Sequence, residues 1–292
     1  MPEVLAVRHS GTSFMTAFSW LAHIGKVRSR SSMRPAALGF GLLLVSSVTV
    51  GAQALAEHHS APAPATDHVA GRLRQPLAGE RALYELRLGG HSVGSGSLEV
   101  LGEEQLGSHT TLHATMRISG GVLFAKVNDR FDSWIDPENL FSRRFVQDQK
   151  ELTSSRYRSY EMAPEQKTFR LKDGREEPMS SSEPLDDLSF LYYARTLDLR
   201  VGDVDTIPRY FKPGHDVILR VLRKERVVVP AGTYETIVIQ PTITNVGGLF
   251  GQGGQAEVYV SDDAARTVVM ITSKVPLVGS LSLHLTEFRA GR

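Results

Sequence analysis

Leu185-Asp186-Asp187-Leu188-Ser189-Phe190-Leu191-Tyr192-Tyr193-Ala194-Arg195 is the only convincing helix after residue 78, and strand-like segments lie on both sides of it. Asp186 or Asp187 makes a good N-cap, because a short carboxylate accepts the unpaired N–H groups of the first turn and its charge suits the positive helix end. Pro184 sits just outside, where it interrupts no helical hydrogen bond. Leu188, Leu191, Tyr192 and Arg195 follow the i, i+3, i+4, i+7 spacing of one face, and Phe190, Ala194 and Leu197 make a second apolar face. Only a thin stripe (Asp186, Ser189, Tyr193, Thr196) is polar, so most of the circumference requires burial. A helix of about ten residues is marginal alone; this one must lie against a sheet or plug its open end. Arg195 ends the run, with Asp198 as a candidate ion partner. Asp187, Tyr192 and Arg195 admit two readings: the lining of a ligand site, or a cap, a packed ring and a terminal charge. The second is the simpler.

Outward from the helix the pattern has period two. Ala82, Tyr84, Leu86 and Leu88 alternate with Arg81, Glu85 and Arg87, and Leu112, Ala114, Met116 and Ile118 with Thr111, His113, Thr115 and Arg117. Such half-buried alternation, broken by Gly-bearing turns such as Gly89-Gly90 and by Asp136-Pro137-Glu138-Asn139, means antiparallel strands with one wet face. Further strands are expected over 122–135, 141–151, 154–161 and 168–171, and after the helix over 217–223, 226–229, 236–244, 256–261, 267–273 and 280–288. About a dozen strands around one helix in roughly 210 residues predict an all-β fold: antiparallel strands in a single barrel- or clam-like domain, 79–292, with one short buried helix.

Residues 33–56 read as the working part of a secretory signal peptide spanning 1–56, with Met33 as the expected true start. Arg34 is the basic flank, 36–50 the apolar run and Ala54-Leu55-Ala56 the cleavage site. A retained membrane anchor is the alternative, since the run is just long enough to span. Cleavage leaves no stable span, and no Cys follows the run to carry a lipid. Residues 57–78, rich in Ala, Pro and His, read as a flexible linker. The expected location is periplasmic or secreted. With no cysteine, disulfides, thiolate metal sites and Cys nucleophiles are excluded. Residues 1–56 hold five Lys/Arg and one Glu, so the remainder carries a formal charge of about −3, which argues against nucleic-acid binding.

Few motifs carry chemistry. His58, His59 and His68 fall in the linker, without preformed geometry, so no metal is expected. Gly90-His91-Ser92-Val93-Gly94 matches the G-x-S-x-G elbow of serine esterases. The elbow needs a strand turning into a helix, and here a loop and a strand follow. Asp186-Asp187 and Asp262-Asp263 are explained as a helix cap and a hairpin turn. Three segments set large apolar residues beside Gly or Pro between strands: Gly120-Gly121-Val122-Leu123-Phe124, Gly247-Gly248-Leu249-Phe250-Gly251 and Pro276-Leu277-Val278-Gly279. Bare hairpin tips are polar, so apolar ones either rim a mouth that meets an apolar ligand or fold inward to close the barrel's end.

The domain resembles the bacterial domain-of-unknown-function family numbered 3108, found in exported proteins. The likeness begins at Gly79-Glu80-Arg81 with Tyr84, Gly90 to Gly94 and Leu98, and continues through Ile135-Asp136 before Leu140. It runs on through Asp187 to Arg195, Leu199 and Gly202-Asp203, then Glu225 with Val229-Pro230-Ala231-Gly232-Thr233-Tyr234. It ends in Tyr259 to Asp263 and Arg266 to Val269, although Thr267 stands where a Pro is common. The resemblance supplies no catalytic residues. The resulting expectation is a non-enzymatic cell-envelope protein, without cofactor, that binds an apolar envelope component (a lipid or acyl chain). Phe124, Leu249, Phe250 and Leu277 make the contact, and Tyr192 and Arg195 set polarity. An envelope scaffold or assembly factor acting on a protein partner is the second reading, and a hydrolase the weaker third.

Overall fold

The computed structural model describes residues 75–122, 125–151, 154–243, 256–275 and 279–292. Their strands form one 14-stranded antiparallel sheet. The first eight are β1 (Arg81–Leu88), β2 (His91–Leu106), β3 (His109–Val122), β4 (Ala125–Ile135), β5 (Ser142–Glu151), β6 (Ser154–Ala163), β7 (Thr168–Leu171) and β8 (Glu176–Pro178). Helix α1 (Asp187–Thr196) follows, then β9 (Val204–Ile207), β10 (Val217–Val229), β11 (Gly232–Ile243), β12 (Ala256–Ser261), β13 (Val268–Val275) and β14 (Gly279–Arg289). Strands adjacent in sequence pair with one another except across α1, and β14 returns to pair with β1. Two meanders are thus fused along β1–β14, with β8 and β9 as the free edges.

The alternation in the sequence is the inside–outside alternation of a curled sheet. Ala82, Tyr84 and Leu86 on β1, Ala114, Met116 and Ile118 on β3, and Leu219 and Val221 on β10 all enter one buried cluster with α1. β10 is a single strand where the sequence predicts two, because a register shift between Val221 and Arg223 breaks the apolar phase without ending the ladder. The free edges do not pair with each other. Instead the segment after β9 fills the seam: the Phe211 ring centroid lies 4.9 Å from that of Tyr160 and 5.3 Å from that of Phe169. Leu185 N–H donates to the Arg209 carbonyl at 2.6 Å, and Phe211 N–H to the Leu185 carbonyl at 3.0 Å. The shell is therefore barrel-like, strapped shut along one side.

Glycines mark the tight places. Gly89 and Gly90, at φ 56° and 87°, make the two-residue turn between the paired Leu88 and His91. Ser92 lies exposed within β2 and hydrogen-bonds Glu85 on β1, so the esterase-like stretch is a hairpin and not a strand–helix elbow. A Cβ on Gly94 would run into the Ser119 carbonyl, and one on Gly120 would come within 2.6 Å of the Val93 carbonyl. Gly120 and Gly121, expected at a loop tip, are in fact paired in β3 with Val127 and Lys126. Gly120 is a glycine because two backbones pass close together there.

Strand alternation places the start of β1, the end of β4 and the β12–β13 turn at one end of the shell. α1 lies across that end. Asp186, not Asp187, is its N-cap, accepting from Leu188 N–H at 2.7 Å and Ser189 N–H at 2.8 Å, while Ser189 Oγ accepts from Asp186 N–H at 2.9 Å. The outer oxygen of Asp186 accepts from Ser133 Oγ of β4 at 2.6 Å. At the other terminus Arg195 Nη1 donates to Glu80 Oε1 at 2.5 Å, and Nη2 donates to Glu80 Oε2 at 3.2 Å and to the Ala265 carbonyl at 3.1 Å. Asp198, the partner expected for Arg195, pairs with Arg200 instead. α1 is pinned at both ends, to β4 at one and to the start of β1 and the β12–β13 turn at the other.

Candidate functional site

Phe124, Leu249, Phe250 and Leu277 lie outside the described residues. The strand ends that border them, Val122 and Ala125, Ile243 and Ala256, and Val275 and Gly279, fall at the end of the shell opposite α1. Tyr192 and Arg195 are brought together inside the plugged end, with the guanidinium 5.6 Å from the ring centroid and the residues 1% and 3% exposed. Burial and the nearby Glu80 carboxylate push the Tyr192 hydroxyl well above the usual phenol range, and it has no hydrogen-bond partner among the described residues. Tyr84 beside them is also shifted upward by burial and donates to the Val268 carbonyl at 2.8 Å. This corner is a sealed clamp. The two acidic pairs are not joined: Asp262 binds Lys224 and Arg266, and Asp263 caps its own turn.

The accessible chemistry lies at the seam. β7 covers β6 only from Tyr160 to Ala163, which leaves the earlier part of β6 without a described strand on that side. The gap between it and residues 212–215 forms an open groove of about 760 Å³. Its floor is Tyr160 and Leu171, with Tyr157 to one side; Arg158, Lys172, Arg175 and Lys212 supply positive charge, and Asp173 and Glu177 negative. Both carboxylates are engaged by Arg175, at 2.8 and 3.7 Å. Lys212 reaches over Tyr160, its ammonium 4.8 Å from the ring centroid and donating to the hydroxyl at 3.3 Å. Lys172 sits 4.6 Å over the Tyr157 ring.

Partial removal from water acts on these groups. Burial lowers the Lys212 ammonium to about 8, with Arg158 adding repulsion and Asp187 opposing. Burial likewise lowers Arg158, and it pushes the Tyr160 hydroxyl up to about 12. Asp187, which accepts from Tyr210 Oη at 3.1 Å, rises to about 6 through burial and the adjacent Asp186. Behind the groove the inner wall is polar: Arg158 pairs across the sheet with Gln147, and buried Asp129 with Gln149. The arrangement is suited to holding an anion against an aromatic floor. A second depression of about 410 Å³, near Arg143 and Glu165, differs in balance: Arg143 and Arg170 face three glutamates.

These residues escaped the sequence reading because they come from separate strands and a loop. One signal was present. Met162 and Tyr160 set the inward phase of β6, and Arg158 and Arg156 continue it, placing arginines where an apolar side chain is expected. Among the described residues no cluster of three or more His, Cys, Asp or Glu is placed to hold a metal ion, and no helix is long and apolar enough to cross a membrane.

Among curated proteins, none matches this sequence. The chain is similar in structure to a β-barrel-like protein of domain of unknown function DUF1849 from Brucella abortus (10% identity, 75% of this chain and 100% of the other, TM-score 0.47). It is also similar to a candidate lipoprotein from Parabacteroides distasonis (12% identity, 74% and 98%, TM-score 0.33). A third is a candidate exported protein with a YmcC-like fold from Bacteroides fragilis (10% identity, 74% and 97%, TM-score 0.28). The sequence profile of one family matches residues 83–286, most of the chain and nearly all of its sheet, and the protein belongs to that family, the proteins of unknown function DUF3108.

Proposed function

We propose that this protein is an exported, non-enzymatic binding protein of the cell envelope, whose ligand is an amphipathic envelope component with an apolar chain. The observation that carries this reading is the seam groove, open to solvent, floored by Tyr160 and Leu171 and rimmed by cations, in a shell whose other described end is sealed by α1. A partly apolar concavity with a few convergent polar groups is the usual form of a small-molecule site. The signal-like N-terminus supports export, and the apolar segments around Phe124, Phe250 and Leu277 support contact with an acyl chain. The test is native mass spectrometry of the protein expressed with its own leader and purified gently from the envelope fraction. A lipid-sized adduct, reduced by Tyr157→Ser or by Leu249→Ser with Phe250→Ser in folded protein, is the expected result. Ligand-free protein in every preparation contradicts it.

A scaffold role is the second reading, favoured by the edges of β8 and β9 that no described strand covers, with Val204 on β9 59% exposed. A stable complex with another protein, free of lipid, is the outcome that selects it.

A further inference from the structure

We infer that the seam groove is an anion site, so that the ligand's polar end carries a phosphate or carboxylate held by Lys212 and Arg158 with Lys172 and Arg175 at the rim. Its assignment to a lipid headgroup rests on the binding-protein reading above; the anion site itself does not.

Three observations carry it. Four cationic side chains line the groove against two carboxylates, both of which are engaged by Arg175, and the Asp187 carboxyl stands near Lys212. Arg158 is on the inward-facing row of β6, between Gln147 on β5 and the mouth of the groove, so its charge is held by the wall and does not extend freely into solvent. Lys212 is braced over Tyr160 and Phe211, at 4.8 and 5.2 Å from their centroids, which fixes where its ammonium points. An oxyanion entering the groove meets several cationic donors at once, and hydrogen bonds between charged partners are the strong kind. The half-exposed Tyr157 ring and Leu171 beside them offer apolar surface for the first carbons of an attached chain. The depression near Arg143, with its acidic excess, lacks this balance.

Isothermal titration of the purified protein with three probes below their micelle concentrations separates the possibilities: dodecyl phosphate, inorganic phosphate and dodecyl maltoside. Dodecyl phosphate is expected to bind best. Lys212→Gln and Arg158→Gln are each expected to weaken it roughly tenfold, the usual worth of one charged hydrogen bond. Lys172→Gln, at an exposed position, repeats the direction of change without risk to folding. Lys224→Gln, remote on β10, leaves binding unchanged. If inorganic phosphate binds as tightly as dodecyl phosphate with the same response to the variants, the anion site stands and the amphiphile reading falls. If dodecyl maltoside binds as tightly and the variants have no effect, the anion site is overturned and the amphiphile reading stands. If neither phosphate probe binds, the anion site is likewise overturned.

Discussion

At the scale of single residues, Asp186 and Asp187 show how adjacent carboxylates acquire opposite duties. Asp186 is fully buried and accepts from two N–H groups of α1 and from Ser133, so it is a structural cap. Asp187 meets Tyr210 and the field of Lys212, and burial together with Asp186 raises it to about 6. A carboxyl raised in the folded state favours folding below its ordinary value of 3.8, and that advantage is lost as pH climbs through about 6. Asp187→Asn is therefore expected to stabilise the protein above pH 6, by about 1–2 kcal/mol once partial exposure is allowed for. Wild type and variant should converge below pH 4. Urea unfolding across pH 3.5–8 checks this, and a constant difference at every pH would refute it. A different residue-scale constraint acts at Gly96, where a Cβ would stand 2.8 Å from Leu283 Cδ2. Gly96→Ala should cost about 1–3 kcal/mol of overpacking in the same assay.

At the scale of elements, α1 is an end plate fixed by charge at one terminus and by its cap at the other. The pair Arg195–Glu80 is almost wholly buried, so breaking it leaves a lone charge in the interior. Arg195→Met or Glu80→Gln alone is expected to cost about 3–5 kcal/mol, whereas the double substitution should recover much of that loss. Additive losses in the four-way unfolding comparison would show that the two do not act as a pair. The helix itself was legible in the sequence because cap, spacing and apolar circumference all agreed, but its partner was not. Asp198 is near in sequence, while Glu80 is near only after β1 and β14 pair. The strands were legible where alternation was clean, as on β1 and β3. β8 and β9 were not, because short edge strands such as Glu176–Pro178 carry polar residues that read as loop. The groove was the least legible feature, since it exists only where β6 outruns β7 and residues 212–215 arrive from fifty positions downstream.

At the scale of the whole molecule, the 14-stranded sheet is closed by a strap and not by strand pairing, and the weakest line of the shell is also where its charges gather. Phe211, packed edge-on against Phe169 and tilted against Tyr160, is the keystone of that line. Phe211→Ala should cost about 3–5 kcal/mol in unfolding free energy. Because the edges it joins make no hydrogen-bonded ladder, the variant should also expose the seam to proteolysis before the β1–β14 junction; cleavage beginning at that junction would argue against the strap. The most direct test of the account is hydrogen–deuterium exchange with and without dodecyl phosphate. Protection centred on residues 155–160 and 210–216, with α1 and β10–β14 unchanged, is the predicted result. Protection confined to α1, to β10–β14, or absent from the seam would contradict it.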